Sequence, residues 1–126
     1  MVRVYLDPSA VFVRFGDGEE TALAPDAPAA MRDLADTGHE AILLGDGGIA
    51  IPEALGDLGR ADDPEPGLRA WMITGDRRRC RQRRPWLRTV LVGGGPAPDN
   101  DRWRCDAEAA DLRSAVIHIV SREAMP

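Results

Sequence analysis

The sequence predicts an α/β domain in three layers: a mainly parallel sheet with helices on both faces. Short apolar runs alternate with helical stretches along all 126 residues, the pattern of strand–crossover–strand units. Three of those runs lead into an aspartate: 2–6 into Asp7, 41–45 into Asp46 and 71–75 into Asp76. The first run is apolar on both sides apart from Arg3, as in a strand covered on both faces. If the three runs are parallel strands, their aspartates emerge at the carboxyl edge, where ligands of open α/β sheets bind.

Each element follows in order. Residues 2–6 form the first strand, which Pro8 stops. Alternation over 10–15, the turn signal Gly16-Asp17-Gly18 and a return at 20–23 predict a hairpin directly after Asp7. A helix over 25–37 follows, with Asp26 as N-cap, a stripe of Met31, Leu34 and Ala35, and Gly38 at its end. The second strand is 39–44. A loop at 45–48 leads to a short helix over 51–58 with Pro52 in its first turn. The acidic stretch 59–67 reads as a surface connection. A third strand spans 68–74, a short helix covers 77–84 up to Pro85, and 88–92 is a β-branched strand ended by Gly93-Gly94-Gly95-Pro96. After a polar loop, 103–105 reads as an edge strand. Asp106 is the expected cap of a last helix with Ala109, Leu112, Val116, Ile119 and Val120 at helical spacing. The reading is one domain over 1–126, with no internal boundary.

Composition excludes several classes. A formal net charge of −5 lacks the basic footprint that general nucleic-acid binding requires. All 16 basic residues are Arg, so no mechanism that needs an amine side chain has its residue. No apolar run approaches ~18 residues, so no membrane span is expected. With no signal-peptide pattern at the start, the expected location is the cytoplasm. Cys80 and Cys105 match no metal spacing and are expected as reduced structural thiols. Neither His39 nor His118 has a partner at a recognisable spacing. The arginines 77, 78, 79, 81, 83, 84 and 88 form a conspicuous cluster. Its bland reading is a solvated helix paired with acids of 57–65; its functional reading is an anion patch or protein-contact face beside Asp76.

Taken in order, a strand ending in Asp7, a hairpin after it, a strand entering Gly45-Asp46 and a strand entering Thr74-Gly75-Asp76 resemble the haloacid dehalogenase superfamily. That family comprises Rossmann-like phosphohydrolases and phosphotransferases. The resemblance extends to 88–94 and to Cys105-Asp106-Ala107-Glu108. It covers nearly the whole chain and implies a small member without a cap domain. It places the nucleophile at Asp7, which would form an aspartyl-phosphate. It makes Asp7 and Asp76 the side-chain ligands of a magnesium ion, joined by the backbone carbonyl of Ser9. The chain departs from the family elsewhere. Ser9 stands at the general-acid position and Gly45 at the phosphoryl-binding Ser/Thr. Nothing replaces the Lys unless Arg69 or Arg77 supplies its charge, and Cys80 stands where a second acid is often found. Asp46 could add a third carboxylate or serve as a turn residue.

The resemblance therefore implies an impaired domain that binds a phosphate-containing small molecule or a protein partner through Ser9, Gly45, Asp46 and Arg77. The alternative is a weak or specialised magnesium-dependent phosphohydrolase or phosphotransferase acting through Asp7. In either case, Asp7 and Asp76 are expected on adjacent parallel strands.

Overall fold

The computed structural model describes residues 2–15, 20–45, 52–56, 58–81, 84–93 and 104–124. The hairpin turn at 16–18, Asp46, the loop beyond Gly93 and Trp103 lie outside them.

Among the described residues, six strands form one sheet: β1 (Arg3–Leu6), β4 (Glu40–Leu44), β5 (Gly59–Ala61), β6 (Ala70–Thr74), β7 (Leu87–Val92) and β8 (Ala107–Ala109). Their order is β5-β4-β1-β6-β7-β8, and every pairing is parallel. A separate antiparallel pair, β2 (Phe12–Phe15) and β3 (Glu20–Leu23), is the expected hairpin. The helices are the single turn α1 (Pro8–Val11), then α2 (Ala27–Asp36) and α3 (Leu112–Ala124).

Side-chain alternation divides the sheet between two apolar clusters. Val4 and Leu6 of β1, Trp71 and Ile73 of β6, and Val90 of β7 face α2 and α3, which supply Ala30, Met31, Leu34, Leu112, Val116 and Ile119. Tyr5, Ile42, Leu44, Ala70, Met72 and Leu87 face the other way. Shorter pieces cover this second face. The Glu65 N–H donates to the Tyr5 hydroxyl (3.2 Å), Pro64 is buried, and a cleft at Met72 and Leu87 is closed by Arg78, Arg79 and Arg84. The result is the expected three-layer Rossmann-like arrangement, with unequal outer layers. The centre is the most buried part: β6 is buried along its whole length, as a strand flanked by β1 and β7 should be.

Several local expectations are corrected. Residues 59–61, expected in a surface connection, form edge strand β5, held by β4 in register Leu44↔Ala61. The helix expected over 51–58 is a 3₁₀ turn, Glu53–Leu55, among the described residues. The expected edge strand at 103–105 lies instead at Ala107–Ala109. Asp26 makes no cap to its own helix; its Oδ2 accepts from the Arg113 N–H at 2.8 Å, at the start of α3. Asp106 is likewise not the cap of α3. It accepts from the Thr89 N–H at 2.8 Å and ties β7 to the segment before β8, while Asp111 accepts from the Ser114 N–H at 2.8 Å in α3's first turn. The end of α2 is as expected. Gly38 has φ of +80°, and the His39 N–H reaches the Leu34 carbonyl at 3.0 Å, a Schellman closure that glycine makes without strain.

The two thiols expected to be free are joined. Cys80, 2% exposed, forms a disulfide with Cys105, with Cα atoms 5.0 Å apart. Among the described residues, no helix is long and apolar enough to cross a membrane.

Candidate functional site

Asp7 follows β1 directly, and Asp76 lies two residues beyond β6. Those strands pair in parallel with Leu6 opposite Ile73, and the Asp7 N–H donates to the Ile73 carbonyl at 2.9 Å. Both acids therefore leave the sheet at its carboxyl edge on adjacent strands. Pro8 opens α1, whose first bond runs from the Ala10 N–H to the Asp7 carbonyl at 2.9 Å. This single turn brings Ser9 back over the end of β6.

Two hydroxyls tie Asp7 to the turn that carries Asp76. Ser9 Oγ donates to Asp7 Oδ2 and accepts from the Gly75 N–H at 2.9 Å. Thr74 Oγ1 donates to the same Oδ2 at 3.0 Å and accepts from the Asp76 N–H at 3.0 Å. The backbone N–H groups can only donate, so each hydroxyl accepts from one and keeps its own proton to donate to Asp7. Thr74 is wholly buried within an apolar strand, a position where a polar group is retained only with partners.

Arginines complete the cluster. Arg79 Nη2 lies 3.2 Å from Asp7 Oδ1, with the two side chains 37% and 13% exposed. At that exposure the pair contributes about 1 kcal/mol or less by itself. Arg78 forks onto Asp76, Nε to Oδ1 and Nη2 to Oδ2 both at 3.1 Å, and its backbone N–H adds a bond to Oδ1 at 3.0 Å. The Arg78 hydrogen bond is the main reason the Asp76 carboxyl is held below its usual range, with partial burial opposing it. Both arginines sit on the 3₁₀ turn Arg77–Arg81, anchored by the Arg79 N–H on the Asp76 carbonyl at 3.0 Å.

The other expected site residues are arranged differently. The Gly45 N–H, the group left at the phosphoryl-binding position, donates to the Ala61 carbonyl at 3.0 Å. Arg77 pairs with Glu108 at 2.7 Å. Arg69, at the opposite end of β6, pairs with Glu123 at 2.6 Å. The cation beside Asp7 is Arg79, three residues past Asp76. Asp46 lies outside the described residues. Thr74 was named only within the Thr74-Gly75-Asp76 turn and Arg79 only within the arginine cluster beside Asp76; neither was assigned to Asp7. A threonine inside an apolar run and a three-residue step beyond Asp76 were the available signals.

Gly75 shows how closely the two strand ends approach. A Cβ there would lie 2.5 Å from the Ser9 carbonyl oxygen, so that oxygen is pressed against the β6 turn. A magnesium site would draw on this carbonyl and on the Asp7 and Asp76 carboxylates. As arranged, they do not fit one: each carboxylate already has a guanidinium on it. Among the described residues no three His, Cys, Asp or Glu side chains come together as a metal cluster. A cleft of ≈ 510 Å³ opens beside Ser9 and Gly75, lined by Phe12, Val13, Val92 and Leu112.

No family model, curated protein or solved structure matches the chain.

Proposed function

We propose that the chain is a haloacid-dehalogenase-like domain, small and uncapped, whose phosphoryl-transfer chemistry has lapsed and which works as a binding module. One observation carries this reading: Asp7 accepts from Ser9, Thr74 and Arg79 together. A carboxylate so held is a poor nucleophile. Attack would strip its donors, and Ser9 offers no acid to protonate a leaving group. The ligand class of this reading is a phosphate-containing small molecule whose apolar part would enter the cleft lined by Phe12, Val13, Val92 and Leu112, where Asp26 and Asp111 also stand. A protein partner at the same edge is the other form of this reading.

The enzyme reading keeps one support, the placement of Asp7 and Asp76 on neighbouring strand ends. Hydrolysis of p-nitrophenyl phosphate with magnesium separates the two. The binding-module reading expects background turnover, unchanged by Asp7→Asn. Robust turnover abolished by that substitution would establish an aspartyl-phosphate enzyme.

A further inference from the structure

We propose that the cleft formed by β7, the start of β8 and the end of α3 binds a small oxyanion, a phosphate or a carboxylate, through Arg88, Arg122 and His118. The cleft lies toward the amino end of the sheet, away from the Asp7–Asp76 edge, and its role does not depend on the function of that edge.

The strand register builds its floor. Arg88 stands opposite Trp71 in the β6–β7 ladder, and alternation turns both toward α3, as Ala70 and Leu87 turn away. Trp71 is buried and fixed from several sides. Its Nε1–H donates to Glu123 Oε1 at 3.2 Å, and the other oxygen of that carboxylate holds Arg69 at 2.6 Å. The His118 ring meets the indole edge-on, with centroids 5.8 Å apart at 83°. The Arg88 guanidinium lies over the indole, 5.6 Å from its centroid. A guanidinium over a ring spends none of its N–H groups there, so the donor fork of Arg88 remains for a ligand.

Arg122 supplies a second fork. It follows His118 by one turn on the same face of α3, and both line the same cleft of ≈ 420 Å³ as Arg88 and Trp71. Neither Arg88 nor Arg122 has an ion pair among the described residues, whereas Arg69, Arg77, Arg79 and Arg84 each have one. In a chain of net charge −5, two arginines left without acids in one cleft stand out. A cation in the last turn of α3 also suits the helix dipole, but Arg88, on a strand, has no such role. Asp106 is the acid of the lining among the described residues. Its Oδ2 is already engaged by the Thr89 N–H at 2.8 Å and hydroxyl at 3.3 Å. Two guanidinium charges against this one carboxylate leave a single positive excess, which suits a compact oxyanion and not a polyanion. Guanidinium forks bind phosphate and carboxylate oxygens through paired N–H groups, and His118 carries a ring N–H for a third contact.

The test is an NMR titration of the full chain, read at the Trp71 indole N–H resonance. Sodium phosphate and sodium malonate are added in separate series, with sodium chloride at matched ionic strength as the reference. The resonance should move saturably with at least one of the two anions, with Kd about 1 mM or tighter, and stay in place with chloride. The anion bound more tightly names the ligand class. Arg122 is exposed near the end of α3, and Arg122→Gln leaves the Arg88–Trp71 contact in place. It should weaken binding roughly tenfold, as should Arg88→Gln. Arg79→Gln, at the carboxyl edge, should bind as the wild type does. No saturable shift with either anion overturns the proposal, and so does a shift that chloride reproduces. Unchanged binding in both Arg88→Gln and Arg122→Gln, or binding lost in a folded Arg79→Gln, also overturns it, by placing the anion elsewhere.

Discussion

Replacing Gly75 with alanine probes the contact that brings the two aspartates together. The added Cβ would stand 2.5 Å from the Ser9 carbonyl oxygen, 3.1 Å from its carbonyl carbon and 3.4 Å from its Cβ. Ordinary carbon–oxygen contacts begin near 3.3 Å, so the strand ends must part by roughly 0.8 Å. The obstacle is backbone, which cannot rotate away as a side chain can. Overpacking of this kind costs about 1–3 kcal/mol. Separation also breaks the 2.9 Å bond from the Gly75 N–H to Ser9 Oγ, for about 1 kcal/mol more. The expected loss is ~2–4 kcal/mol, a fall in melting temperature of roughly 8–16 °C for a domain of this size. Reversible urea denaturation followed by circular dichroism measures it. Gly59→Ala is the control, because its closest neighbour is the Ile42 Cγ1 at 3.3 Å, a side chain able to give way. A Gly75→Ala protein within ~0.5 kcal/mol of wild type, about the scatter of inconsequential surface changes, would refute the packing of Ser9 on β6.

Three further outcomes are expected. Thr74→Val keeps the shape but leaves the Asp76 N–H and an Asp7 oxygen without their shared hydroxyl, and should lower the urea-derived stability by ~1–3 kcal/mol. Asp26→Ala removes the acceptor of the Arg113 N–H and should cost about 1 kcal/mol, with amide exchange rising in the first turn of α3. The pH dependence has a defined sign in two limbs, both lost toward acid. Asp76 is held below 3.8, so its contribution is complete above that value and lost as pH falls through the lowered pKa; Arg78→Ala should flatten this acid limb of the urea midpoint. Burial lowers His39 below 6.5, and its Nδ1 accepts from the Val2 N–H at 3.2 Å. That contribution is complete above 6.5 and lost as pH falls through the lowered value, a limb that His39→Ala should remove.

The main strands were legible because a central parallel strand must be apolar on both faces, and β1, β4, β6 and β7 each contain a continuous apolar run. Their ends were less so. Leu68 extends the third run on paper but is 88% exposed; the ladder begins at Ala70, whose N–H meets the Trp86 carbonyl at 2.9 Å. Edge strand β5, Gly-Arg-Ala, has no β-branched or aromatic residue and is made by its neighbour. The aspartates at helix starts misled for a related reason. Capping was assigned to the nearest helix, whereas Asp26 serves a donor 87 residues away and Asp106 one 17 residues back. The disulfide and the Arg79–Asp7 pair depend on which loops the sheet order brings together, and local pattern carries no such information. The positions of Asp7 and Asp76 were visible in advance; their counter-ions were not.

The most direct measurement asks whether Asp7 is available to a phosphoryl group. Beryllofluoride bonds a free carboxylate oxygen as an acyl phosphate would, and it can be read by fluorine NMR and by a crystal structure with magnesium. The account predicts no fluoride signal bound to protein, and Asp7 still held by Ser9, Thr74 and Arg79. A beryllium atom on an Asp7 oxygen, with Arg79 displaced, would contradict it.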